Sequence, residues 1–137
     1  MTDLTQLATR YVAVWNEPNA DARRTLIREL WADDAIHLLQ PPADIKQSAA
    51  AVGMIPVLEI RGHAALEWRV TTAHDRFVAP GEFQFRLGEP PERIRDLVKL
   101  DWEMIRTKNG EVEAGGVSLL FLDERDRIVT DYTFIGP

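Results

Sequence analysis

Two side chains in this sequence are of a type that moves protons and stand where such groups are out of character. Asp131 interrupts the apolar run Ile128–Phe134, and His37 sits inside the apolar stretch Ala35–Leu39. A carboxylate beside an imidazole orients the ring, fixes its tautomer and raises its basicity, which suits general acid–base chemistry. A bland reading stands next to this one. A lone strand histidine is more often a structural residue with satisfied hydrogen bonds, and a strand aspartate can sit on a solvated rim. Of the other histidines, His63 follows Gly62 at a helix start and reads as exposed, and His74 lies along an apolar stripe. The three do not have metal-ligand spacing, so no metal is expected. With no cysteine in the chain, disulfides, thiol catalysis and cysteine metal sites are excluded. No glycine-rich phosphate loop follows a strand. Gly115-Gly116 precedes one and reads as relief of strand curvature, so no cofactor is expected either.

These residues must be positioned by the elements around them. Leu4, Leu7, Ala8, Tyr11, Val14 and Trp15 recur at helical spacing and predict a first helix, ended by Asn16-Glu17-Pro18. Asn19 can cap a second helix carrying Ala22, Leu26, Ile27, Leu30 and Trp31. Ala32-Asp33-Asp34 reads as a turn and Ala35–Leu39 as a strand. The stretch Gln40–Glu59 is irregular, with a helical turn at Ala49-Ala50-Ala51, and its length suggests a lid or mobile binding loop. Gly62 opens a third helix with Leu66, Val70, Ala73, His74 and Phe77 on one stripe. Glu82–Leu87, Val98–Arg106, Val117–Leu122 and Ile128–Phe134 then read as four strands of an antiparallel meander. The last two are joined by Asp123–Arg127, where Asp126 tolerates a positive φ. Helices gathered on one face of an antiparallel sheet make an α+β layer architecture.

The chain of 137 residues has room for one core and reads as a single domain over 1–137. Its 45% hydrophobic and 28% charged residues are ordinary for a globular protein. A net charge of −6 and no basic cluster argue against nucleic acid or an anionic membrane surface as partner. Its apolar runs are too short to span a bilayer, and Met1-Thr2-Asp3 starts no signal peptide, so a cytoplasmic location is the default expectation.

Several stretches together carry a family likeness. They are Arg10-Tyr11 in the first helix, Trp31-Ala32-Asp33-Asp34-Ala35 before the first strand, Gly62, Trp102-Glu103-Met104, and Asp123-Glu124-x-x-Arg127-Ile128. By their order and spacing, nearly the whole chain resembles the nuclear-transport-factor-2-like superfamily, which includes SnoaL-type polyketide cyclases, ketosteroid isomerases, scytalone dehydratase and limonene epoxide hydrolase. The resemblance implies a cone-shaped, curved antiparallel sheet wrapped around the N-terminal helices, with an apolar pocket inside. It also permits a residue-by-residue comparison with the steroid isomerases. Tyr11 stands at their oxyanion-hole tyrosine, but Leu39 stands at the catalytic base and Ser118 at the second oxyanion donor. Leucine cannot move a proton, so a steroid-isomerase mechanism is not expected. Tyr11 on a helix stripe also has the plain reading of a core residue.

Side chains alternate along strands, so the same alignment implies which of them face the pocket. They are His37 and Leu39; Leu100, Trp102 and Met104; Gly116, Ser118 and Leu120; and Val129, Asp131 and Thr133. Tyr11 and Trp15 add from the first helix, and Leu66, Val70, His74 and Phe77 from the third, with Arg69 nearby. An apolar pocket with few convergent polar groups is the usual small-molecule site. The expected ligand is a small apolar or polyketide-like molecule. His37 and Asp131 form the expected dyad, with Tyr11 and Ser118 as donors to a substrate oxygen. A cyclase, isomerase, dehydratase or epoxide hydrolase is one reading, and a non-catalytic binding or dimerisation module the other. The outer face, with Val117, Leu119, Phe121, Ile128, Tyr132 and Phe134, is too apolar for water and implies a homodimer.

Overall fold

The computed structural model describes residues 3–136; Met1 and Thr2, read above for a leader, and Pro137 lie outside it. Two helices open the chain, α1 (Leu4–Asn16) and α2 (Ala20–Leu30). Each starts at a side-chain cap. The Asp3 carboxylate accepts from Gln6 N at 3.1 Å and the Asn19 amide oxygen from Ala22 N at 3.0 Å, each satisfying a first-turn N–H that has no helical partner. α1 buries Leu7, Ala8, Tyr11, Val12 and Val14, a stripe set by the 3.6-residue period.

Strand β1 (Trp31–Leu39) follows without the expected turn at Ala32-Asp33-Asp34. Those residues lie inside the strand, where its register against the last strand slips between Trp31 and Ile36. Such an irregularity lets both aspartates stay exposed while Trp31 and Ala35 are buried on either side. The irregular stretch contains a nine-residue helix, α3 (Ala43–Ala51), with no buried residue, and then β2 (Leu58–Arg61). α4 (His63–Ala73) runs into a π-helical turn, His74–Val78. Five strands complete the chain: β3 (Phe83–Leu87), β4 (Glu92–Ile94), β5 (Leu97–Arg106), β6 (Val112–Leu122) and β7 (Ile128–Ile135).

The strands form one curved, unclosed seven-stranded sheet in the order β2-β1-β7-β6-β5-β3, with β4 also paired to β5. The architecture is α+β, but the sheet is mixed. β1 runs parallel to β7, while every other pairing is antiparallel. Two helices and the whole meander separate β1 from β7, so the connection is long enough to bring β1 in parallel.

One face assignment is corrected. Ile128 is fully buried in the core, not on the outer face. Between Phe121↔Thr130 and Leu122↔Ile128, β7 advances two residues while β6 advances one, which leaves Val129 as a bulge. One extra residue reverses the alternation, so Ile128 turns inward. In the turn before it, Asp126 has φ +58°, and the Asp123 carboxylate accepts from the backbone N–H groups of Arg125 and Arg127, both at 2.9 Å.

Among the described residues, no helix is long and apolar enough to cross a membrane.

Candidate functional site

Asp131 is the centre of a buried polar cluster on the concave face. β1 and β7 set His37 directly beside Asp131, β6 and β7 set Ser118 beside Thr133, and α1 lowers Tyr11 onto all of them. The Tyr11 hydroxyl donates to Asp131 Oδ2 at 2.6 Å and the Thr133 hydroxyl to Asp131 Oδ1 at 2.7 Å. Ser118 Oγ lies 3.1 Å from the Tyr11 oxygen and 3.0 Å from Thr133 Oγ1. Both those protons are committed to Asp131, so the single Ser118 proton goes to one of the two oxygens. Every member is buried, and a fully connected network of this kind avoids the cost of an unpaired polar group in the interior.

His37 is the exception. Its Nδ1 is 3.2 Å from Asp131 Oδ2, the separation of an ion pair, yet the alignment is not that of a hydrogen bond. Among the described residues neither ring nitrogen has a hydrogen-bond partner, although the side chain is only 1% exposed. We read the contact as electrostatic, because direction fails where distance does not. Trp15 and Trp31 flank the ring at 6.2 and 6.1 Å between centroids, the second edge-on.

The cluster borders a cavity of about 200 Å³ between the sheet, α1 and α4. Tyr11, Trp15, His37, Leu39, Phe77, Trp102 and Met104, all named from the sequence, line it. So do Thr133 and Arg69. Of the residues expected to face the cavity, Leu66, Val70, His74, Leu100, Gly116, Leu120 and Val129 do not line it. Val70 and Leu100 are core residues, since α4 turns Val70 into the packing with Leu66, and β5 buries Leu100 against Ser118 of β6. His74 is buried, with Nδ1 3.2 Å from the carbonyl oxygen of Trp15, because the π-helical turn swings it toward the end of α1. Asp131 and Ser118 stand behind the wall, joined to the cavity through Tyr11, His37 and Thr133. In this arrangement Tyr11 directs its proton to Asp131 rather than into the cavity. Burial, reinforced by the Asp131 charge and hydrogen bond, pushes the Tyr11 phenol well above its ordinary range, so it stays protonated.

The sequence reading missed Phe85, which packs between Trp15 and Trp102 at 6.2 and 6.1 Å. The alternation Phe83-x-Phe85-x-Leu87 carried that signal. It also missed Asn16. The Asn16 amide donates to Phe85 O at 2.6 Å and accepts from Phe85 N at 2.8 Å, pinning the end of α1, and with it Trp15, to the edge of β3. His63, expected exposed, is half-buried with Nε2 2.8 Å from the carbonyl oxygen of Trp31. No residue of 40–59 lines the cavity, because α3 stands out from the domain with both flanks exposed, so the lid expectation has no geometric support here. Among the described residues no group of three or more histidine, aspartate or glutamate side chains could hold a metal ion.

No protein-family model matches the chain, and no curated protein does. Solved structures resemble it along its whole length. A SnoaL-like family protein from Agrobacterium tumefaciens strain C58 is 23% identical, with 100% of both chains covered and a TM-score of 0.78. A SnoaL-like protein of unknown function from Burkholderia thailandensis E264 is 16% identical over 100% of this chain and 99% of its own, with a TM-score of 0.68. A protein of unknown function from Exiguobacterium sp. 255-15, of the nuclear-transport-factor-2-like group, is 16% identical over 94% and 97%, at 0.63. The chain has the nuclear-transport-factor-2-like fold.

Proposed function

We propose that this protein binds a small, largely apolar molecule in the cavity and that His37 carries a proton to or from it, with Asp131 as the group that orients the ring. The observation that supports this best is His37 itself. A buried imidazole in a structural role has its nitrogens hydrogen-bonded, whereas among the described residues both His37 nitrogens lack a hydrogen-bond partner at the wall of a cavity. A bound molecule supplies the missing partner for one nitrogen. A small rotation then aligns Nδ1 with Asp131 Oδ2, already 3.2 Å away. As the ring takes a proton from an acidic C–H or O–H, Asp131 stabilises the imidazolium, and Tyr11 and Thr133 hold Asp131 still. The apolar walls exclude water and strengthen these interactions. This is acid–base chemistry of the cyclase, isomerase or dehydratase type. The second reading, a binding module without turnover, rests on the same cavity.

An enolisable two-ring ketone, 2-tetralone, tests both readings. Deuterium exchange at its α-carbon, followed by NMR in D₂O, should be faster with the protein than in buffer. His37→Gln should remove about 10²–10⁴-fold of that acceleration. Asp131→Asn should leave a residue of it if the imidazole carries the proton, and almost none if the carboxylate is the base. Saturable quenching of Trp15 and Trp102 fluorescence without faster exchange would favour the binding module. Neither effect would sink the pocket reading altogether.

A second copy of the chain covers the outer sheet face in this reading. Val117, Leu119 and Phe121 are half-buried there, beside Tyr132 and Phe134 at 41% and 46% exposure. Phe121 and Tyr132 pair edge-on at 6.1 Å. β6 and β7 contribute no charge to this patch, and a two-fold axis lets it meet itself. Sedimentation equilibrium at micromolar concentration should give about twice the chain mass, and Tyr132→Lys should halve it. A monomeric parent protein would refute the dimer.

A further inference from the structure

Arg69 stands in the cavity wall, without a counter-ion among the described residues. α4 sends Leu66, Val70 and Ala73 into the core, and the 100° step between residues leaves Arg69 half-buried at the edge of that stripe, where it meets the cavity. Its guanidinium carbon lies 5.6 Å from the centre of the Trp15 ring. Among the described residues it makes no hydrogen bond or ion pair, whereas Arg24, Arg61, Arg86, Arg93, Arg106 and Arg127 each pair with a carboxylate. Those six pairs are near the surface, where water already screens the charge. Arg23 is also buried without an ion pair, but it donates to the carbonyl oxygen of Glu17 and does not line the cavity, whereas Arg69 does.

A guanidinium does not lose its proton in a protein, so Arg69 carries its charge into the wall of an apolar cavity. Burial lowers its pKa, and the Asp131 charge acts in the opposite sense. The tryptophan face stabilises such a cation by about 0.5–2 kcal/mol and leaves the guanidinium edge unused. Asp131 gives it a favourable field but, among the described residues, no ion pair.

Resting on the reading of the cavity as a ligand site, we infer that its ligand is an apolar acid, with the carboxylate on Arg69 and the ring or chain reaching toward His37. The planar fork of arginine matches a carboxylate with two parallel hydrogen bonds. One cation and no glycine-rich loop suit a single negative charge better than a phosphate. An engineered cavity of about 150 Å³ holds benzene, so about 200 Å³ suits a body of one ring with a short arm. With a net charge of −6, the protein as a whole repels anions, so the preference must come from this local cation.

Calorimetric titration with cinnamate and with its neutral near-isostere cinnamamide tests this at pH 8. The unmodified protein should bind cinnamate about 10–100-fold more tightly, the range expected of hydrogen bonds to a charged group. Arg69→Gln should abolish that preference by weakening cinnamate binding far more than cinnamamide binding, and Arg69→Lys should keep part of it. Circular dichroism establishes that each variant is folded. Equal affinity for acid and amide in the unmodified protein overturns the inference yet leaves an apolar pocket standing. A preference that survives Arg69→Gln overturns it too, since another group would then hold the carboxylate. If neither compound binds, the inference and the pocket reading fall together.

Discussion

Asp131→Ala should cost about 3–5 kcal/mol of folding stability, the range for breaking a buried charged network by removing one partner. For a chain of this length that is a fall of roughly 10–20 °C in Tm. The reason lies in what the carboxylate leaves behind. The Tyr11 and Thr133 hydroxyls lose their acceptor and remain buried with protons to donate, and a void opens beside Leu120, the cross-strand neighbour of Asp131. Asp131→Asn keeps the shape and one acceptor oxygen. The hydroxyls of Tyr11, Ser118 and Thr133 can rotate to accept from its NH₂ group, so the loss should be about a third as large. Differential scanning calorimetry of the two variants decides the matter. If alanine is tolerated as well as asparagine, the network is not holding this end of the sheet.

Gly116→Ala should destabilise by about 3 kcal/mol or prevent folding, the upper range for overpacking. A Cβ at Gly116 would collide with the carbonyl oxygen of Phe134 and lie 2.5 Å from Cζ2 of Trp102. Trp102 is the cross-strand partner of Gly116 and lays its indole on the bare glycine backbone, an aromatic covering a glycine in a sheet. The methyl group would push β6 away from β7 or drive the indole into the cavity it lines. Gly115 is the control. A Cβ there meets only Trp102 O at 3.2 Å, which a small shift relieves. Thermal melts should therefore separate the variants, with Gly115→Ala close to the parent. Equal losses would mean that both glycines serve the curvature of β6 rather than the seat of Trp102.

The positions of His37 and Asp131 show that a shared register does not by itself make a hydrogen bond. Their Cα atoms are register partners across β1 and β7, so their side chains share a face by construction. What is missing for a hydrogen bond is the angle at Nδ1, with the ring held between two tryptophans.

Periodicity alone determined the helices α1, α2 and α4, the four long strands and the caps at Asn19 and Gly62, because each depends on side chains within a few residues. Alternation, with its phase taken from the family resemblance, also put His37, Asp131, Ser118 and Thr133 on one face, since the side-chain period of a strand is two. Where the chain departs from that period, the sequence was mute. The bulge at Val129 turned Ile128 inward, and the slip in β1 absorbed Asp33-Asp34 into a strand. Only the tertiary structure decided these, because a bulge is a property of two paired strands and neither carries a mark of it. It also decided that β1 lies parallel to β7, that α3 is helical yet buries nothing, and that Tyr11 directs its proton to Asp131. It placed Arg69 in the cavity wall, without a carboxylate partner among the described residues. Partners across 69, 107 or 120 residues of chain are chosen by packing the whole domain, and no local pattern records that choice.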